Sequence, residues 1–164
     1  NYFSCVPPYN QEAARVALES TLSEQGVEKM VETFESRRNL ICQQINEIPG
    51  ISCQKPGGAF YLFPNISGIC ENLGLIEKHD SLPLEKQSSP ANIFQMFALY
   101  EHQIAVLDRK SFGKIGADGK HFLRISIAAE QSVLEKGILR LKNAGEDLSG
   151  LDRFLKERPD LTSE

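Results

Sequence analysis

The clearest signal along the chain is a change of hydrophobic period in its last third. In FLRISIA, Phe122–Ala128, alternation puts Phe122, Arg124 and Ser126 on one face and Leu123, Ile125 and Ile127 on the other, which predicts a strand. From Glu130 to Leu141 the spacing becomes helical, with Leu134, Ile138 and Leu141 on one stripe. Near the start, Gln11 to about Ser23 predicts a helix with Asn10 as N-cap and Ala14, Ala17, Leu18 and Leu22 on one side, broken by Gln25-Gly26. The longest predicted helix, about Val27–Ile48, carries Val27, Met30, Val31, Phe34, Ile41, Ile45 and Ile48 at i, i+3/i+4 spacing and stops at Pro49-Gly50. That whole stripe is expected to pack on the strands around it.

Ile51–Ile66 reads as strand, tight turn, strand. Gly57-Gly58 supplies a backbone free to take positive φ and approach another group closely, and Ala59–Phe63 is apolar enough on both faces to be buried. A short helix is expected from Ser67 to about Lys78, then a polar loop to Ala91 and a helix over Ala91–His102 carrying Ile93, Phe94, Phe97, Ala98 and Tyr100. A short strand, Ile104–Leu107, and a glycine-punctuated link, Asp108–Lys120, lead into the strand at Phe122; Leu148–Arg158 closes the chain as a last helix before a frayed end, Pro159–Glu164. This order predicts an α/β (α+β-like) fold, a small mixed or antiparallel sheet covered by helices with one of them long.

At 164 residues the chain supports one good core, and 41% hydrophobic with 24% charged residues is ordinary for a globular protein. A net charge of −4 argues against nucleic acid as partner. No apolar run nears the roughly 20 residues that span a bilayer, and no signal peptide is seen, so no membrane partner is expected. The opening Asn1-Tyr2-Phe3-Ser4 has neither an initiator Met nor a targeting pattern, and a fragment of a longer protein is expected. Cys5, Cys42, Cys53 and Cys70 lack CxxC spacing and read as reduced thiols of a cytoplasmic protein, while His79, His102 and His121 are too scattered for a metal site. Nucleophile elbows, phosphate loops and paired acids are missing; Gly113-Lys114-Ile115-Gly116 is a surface turn on this reading, and no residue here is assigned a catalytic role. Arg124 stands out. It cannot lose its charge, and its planar fork suits a carboxylate held by two parallel hydrogen bonds. The alternatives are an arginine in water at a sheet edge, or one paired with an internal Asp or Glu.

Four stretches together resemble the C-terminal part of fold-type I, pyridoxal-phosphate (PLP)-dependent aminotransferases of the aspartate aminotransferase-like class. They are the Pro-Pro segment running into an Ala-rich helix (Pro7–Leu18), Arg37–Asn39 in the long helix followed by PGI, KPGGAFYLFP (Lys55–Pro64), and FLRISIA with its helix. Ile104–Gly113 sits where such enzymes have a V-x-x-x-P-G-x-x-F-G-like segment, with Asp108–Lys110 in place of the proline and first glycine and Phe112-Gly113 retained. The resemblance implies that Arg124 binds the substrate's α-carboxylate and that Gly57, Gly58, Ala59 and Phe60 form a loop that approaches substrate as a small domain closes. It implies a homodimer acting on an amino acid and a 2-oxo acid, with Cys5 and its neighbours at the subunit contact. It divides the chain into a linker remnant (1–26), the small domain (27–158) and a tail (159–164). No arginine stands in residues 1–10 to meet a second carboxylate, which weakens aspartate as substrate. The cofactor lysine and the groups that hold the PLP ring and phosphate are expected upstream of Asn1, leaving this piece inactive alone. Another fold-type I enzyme, a lyase or amino-acid synthase, and a non-enzymatic binding module are the alternatives.

Overall fold

The computed structural model describes residues 5–82, 89–112 and 119–162. The middle of the predicted 78–91 loop, Gly113 and the rest of the Gly113–Gly116 turn lie outside the described residues. The chain divides into two compact units, Asn1–Ser36 and Arg37–Glu164.

The first unit holds helix α1, Pro8–Glu19, and the start of α2, Thr21–Asn46. α1 begins earlier than the Asn10 cap predicts: Pro8 occupies a first-turn position where a missing N–H costs nothing, and the Pro7 carbonyl accepts from Asn10 and Gln11. The break falls at Ser20, in place of Gln25-Gly26. Ser20 is extended, its carbonyl accepts from the Ser23 and Glu24 N–H groups, and its hydroxyl accepts from Leu22 N–H at 3.3 Å. A serine with this cap geometry starts a helix more strongly than one internal glycine stops it, since Gly26 costs only about 1 kcal/mol relative to alanine. No residue of α1 is buried, and the predicted stripe on α2 is exposed in this half: Val27 is 52%, Met30 55% and Val31 57% exposed. Phe34 is half-buried.

The second unit contains the core. The last turns of α2 contribute Ile41 and Ile45, and Ile48 follows the helix end. Gly50, at φ 83°, turns the chain as Pro49-Gly50 predicts. The strand–turn–strand reading of Ile51–Ile66 is reduced to one bridge, Ser52↔Asn65, because Tyr61–Leu62 (β1) pairs elsewhere. Its partner is Leu123–Ser126 (β3), whose other edge takes Leu107–Asp108 (β2), giving an antiparallel sheet of order β1-β3-β2. β2 lies later than the predicted Ile104–Leu107. The single helix predicted from Ser67 to about Lys78 is two, α3 (Ser67–Asn72) and α4 (Leu75–Asp80), parted by Gly74 in the left-handed region. Helices α5 (Pro90–His102), α6 (Gln131–Glu146) and α7 (Leu148–Glu157) follow, as their periodicity predicts, and Pro159–Thr162 forms a 3₁₀ turn. Phe94 and Phe97 of α5, Leu134 and Leu141 of α6, and Leu151 and Phe154 of α7 are buried with Leu62, Leu123 and Ile127 in one core.

Among the described residues His102 Nε2 is buried without a hydrogen-bond partner, 3.3 Å from an Asp147 oxygen, while other polar groups of this unit tie elements together. Asp108 accepts from the Ser89 hydroxyl at 2.6 Å, and the same oxygen of Ser89 caps α5 through Asn92 N–H, which joins the start of α5 to β2. Asn46 spans the backbone of Cys53, accepting from its N–H at 2.8 Å and donating to its carbonyl at 2.9 Å. Among the described residues no helix is long and apolar enough to cross a membrane, and no cluster of His, Cys, Asp or Glu could hold a metal ion.

Candidate functional site

The sheet builds the site. Tyr61 faces Ser126 and Leu62 faces Ile125. The same register continues at both ends: Ile127 N–H donates to Phe60 O, Leu123 N–H to Pro64 O and Ile66 N–H to His121 O, with a bridge between Asn65 and Phe122. A ladder thus runs along 60–66 against 121–127, longer than the two-residue strand suggests. Alternation along it puts Leu123 and Ile127 into the core, as the sequence predicts for this strand, with Leu62 beside them, and leaves Tyr61, Phe63, Phe122 and Arg124 together on the other face.

Arg124 is half-buried there, between two aromatic rings. Its Cζ lies 4.4 Å from the centre of the Tyr61 ring, from the strand on one side of β3, and 4.5 Å from the centre of Phe112. Phe112 ends the 3₁₀ turn Arg109–Phe112 that follows the strand on the other side. The rings are braced in turn, Tyr61 by Phe60 with centroids 4.4 Å apart and Phe112 edge-on by Phe63 at 6.0 Å. Among the described residues no Asp or Glu pairs with Arg124. A guanidinium packed against aromatic rings can still offer its N–H fork to a planar anion.

The other predicted site residues sit close by in the chain, in a form the glycines do not foretell. Neither Gly57 nor Gly58 takes positive φ, and a methyl group on either would meet nothing within 4 Å; the left-handed turn is made by Ala59, at φ 61°. Ala59–Phe63 is not buried on both faces: Leu62 is fully buried, whereas Phe60 is 41% and Phe63 40% exposed. One face of this strand looks out of the core, towards the arginine. From the Tyr61 ring a groove of about 590 Å³ extends between Ser52 and Gln54–Gly57 on one wall and Phe63, Asn65, Phe122 and Lys120 on the other. Among the described residues its lining carries Lys55 and Lys120 and no carboxylate. Sequence reasoning missed Tyr61 and Phe112 as site residues. The period-two pattern that places Arg124 outward also places Tyr61 outward once the register is known, whereas nothing in the pattern brings Phe112 across β2.

Three titrations mark the surroundings. Burial pushes the Cys70 thiol up to about 12, with Asp108 and Glu71 adding to it. Burial lowers the His121 pKa against the opposing pull of Asp108. The Gly150 N–H holds the Asp147 carboxyl below its ordinary value, as expected at the N-cap of α7.

The fold that carries this ladder is one the chain shares with known proteins. Its sequence matches the family described as aminotransferase class I and II over residues 1–141, and the chain belongs to that family. It is 34% identical over 145 residues to the "Probable aspartate/prephenate aminotransferase" of Aquifex aeolicus, covering 88% of this chain and 32% of that protein. The crystal structure of an aromatic aminotransferase from Pyrococcus horikoshii OT3 superposes with a TM-score of 0.61 at 31% identity, over 91% of this chain and 31% of that one. A PLP-bound chain from Clostridium difficile 630 superposes with a TM-score of 0.53 at 30% identity, over 74% and 26%. The chain therefore spans about 30% of the length of the relatives it matches, and its fold is a part of theirs.

PLP is the cofactor this family implies, and the described residues do not by themselves make a seat for it. Around Arg124 they offer a guanidinium edge and aromatic faces, which fit a carboxylate. Among the described residues the groove brings no carboxylate to meet a pyridine nitrogen, and the two lysines that line it are exposed.

Proposed function

We propose that this chain is the carboxylate-holding, closing part of a PLP-dependent aminotransferase that moves an amino group from an amino acid to a 2-oxo acid. The observation that carries the reading is the half-buried Arg124, with the Tyr61 and Phe112 rings within 4.4 and 4.5 Å of its Cζ and without a carboxylate partner among the described residues. PLP, when bound, supplies the electron sink for the chemistry; on this reading it is held mainly by residues outside this chain, and the piece alone is inactive. Arg124 takes the substrate's α-carboxylate through two parallel N–H donors, which fixes the substrate at two atoms and so orients its Cα–H bond. The groove beside Tyr61 gives the rest of the substrate a place to lie, and the exposed run Gly57–Phe60 is the part that moves over it. The working enzyme is a homodimer in the cytoplasm. Exposed Val6 and Tyr9 in the first unit support a subunit contact there, and the free cysteines support a reducing compartment.

The test is Arg124→Lys in the complete gene product that contains this chain. Lysine keeps the charge and loses the fork. Truncating one partner of a desolvated charge pair costs roughly 2–5 kcal/mol, some thirty- to several-thousand-fold in kcat/KM. The thermal midpoint should move little. Wild-type turnover by the Arg124→Lys enzyme would end this reading.

A further inference from the structure

We infer that Tyr61 and Phe112 are positioning residues: two rings, brought from opposite sides of β3, lock the plane of the Arg124 guanidinium so that a ligand's carboxylate meets it edge-on. This rests on the reading of Arg124 as the carboxylate receptor and assigns its two neighbouring rings a function of their own, setting the fork before ligand binds.

An arginine side chain has four rotatable bonds and, left alone on a sheet surface, presents its fork in many directions. Each freezes out at a cost when ligand binds. Here the freezing is done beforehand. The Tyr61 ring stands 4.4 Å from Cζ and the Phe112 ring 4.5 Å, both well inside the range in which a cation is drawn to an aromatic face. Two rings packed against the guanidinium carbon restrict how the fork can turn, and a carboxylate that pairs with two of its N–H groups enters along the fork's edge.

The rings are themselves held. Tyr61 is fixed in the ladder opposite Ser126 and packs on Phe60 at 4.4 Å, and Phe112 meets the edge of Phe63 at 6.0 Å with planes 76° apart. Phe63 and Tyr61 belong to one strand, so the brace of Phe112 and the opposite ring are set by the same piece of backbone. Phe112 is 49% exposed and lies outside the core, so burial of its own surface does not explain its place. Tyr61 also lines the groove, so a ligand lying there touches a ring that holds the arginine.

The experiment uses the complete gene product with Tyr61→Leu and Phe112→Leu, the aromatic replacements Tyr61→Phe and Phe112→Tyr, and Arg124→Lys as reference. Steady-state kinetics with the preferred amino acid and thermal midpoints are measured for each. Each leucine variant should lose about 5- to 30-fold in kcat/KM, the size of one desolvated cation–π contact, with KM for the amino acid raised, while the aromatic replacements restore it. If Arg124→Lys is crippled and both leucine variants stay within about twofold of wild type, the positioning role is overturned and the carboxylate receptor stands. If Arg124→Lys is itself normal, both fall together. Leucine variants that lose thermal stability and keep wild-type kinetics also overturn the role. Should Tyr61→Leu fail to fold, Phe112→Leu decides alone, since half of that side chain is already in solvent.

Discussion

A methyl group added at Gly68 would lie 2.6 Å from the Cα of Gly50, and one added at Gly50 would meet the Gly68 carbonyl carbon at 2.8 Å. Two stretches of backbone touch here, where the chain leaving α2 passes the first turn of α3, and neither has room for a side chain. Gly68→Ala should therefore cost about 1–3 kcal/mol by overpacking, read as a lowered midpoint in denaturant without a change in slope. The thiols give a pH signature. Cys70 is fully buried with its pKa raised from 9.0 to about 12. A raised folded-state pKa means that the unfolded chain gives up its proton first. The contribution to stability is complete below about pH 9 and is lost as pH rises from 9 towards 12. Thermal midpoints should fall across that window, and less steeply in Cys70→Ala. Cys53, also pushed up to about 12 by burial and by Cys42 beside it, keeps part of the slope in that variant.

At the scale of the element, α2 is one helix with two surfaces. Ile45→Ala removes a fully buried side chain and should cost about 2–5 kcal/mol, whereas Val31→Ala, at a position 57% exposed, should stay within about 0.5 kcal/mol. Chemical denaturation of the two variants checks this directly. The contrast also marks where sequence is and is not legible. β3, α5 and α6 could be read because their periods are carried by residues that are in fact buried, such as Leu123, Phe97 and Leu141. The outward arginine came with that alternation. On α2, Val27, Met30 and Val31 keep the period of Ile41 and Ile45 although the described residues leave them exposed; a pattern tells that a face is apolar and not what covers it. The α1–α2 break was missed because Ser20 holds its neighbours through cap hydrogen bonds that a propensity scale does not see. Ala59 was hidden behind its glycines: Gly57-Gly58 advertises a left-handed turn that Ala59 makes. Phe112 was beyond reach, since its meeting with Arg124 depends on a strand order that no local pattern encodes.

For the whole molecule, the first unit should be the first to go. With no buried residue in α1, brief digestion by a nonspecific protease should clear residues before about 36 while 37–162 persists; protection of α1 in the isolated chain would contradict this. The chain mixed with PLP and then borohydride should give scattered, substoichiometric labelling by mass spectrometry, and a single full-occupancy lysine adduct would overturn the assignment of the cofactor seat to residues elsewhere. The ladder has a consequence in time as well as in space. Tyr61 and Ser126 are separated by about 65 positions, so each bond between β1 and β3 closes a long loop whose entropy must be met before any contact repays it. On the ribosome, β1 emerges seconds before its partner exists. For that interval its edge, with Phe60, Tyr61, Leu62 and Phe63 in sequence, is an open strand able to pair with any other. Of the three receptor residues Arg124 is made last, and the positions just after it, Ile125 and Ser126, are the ones that close that edge of β1.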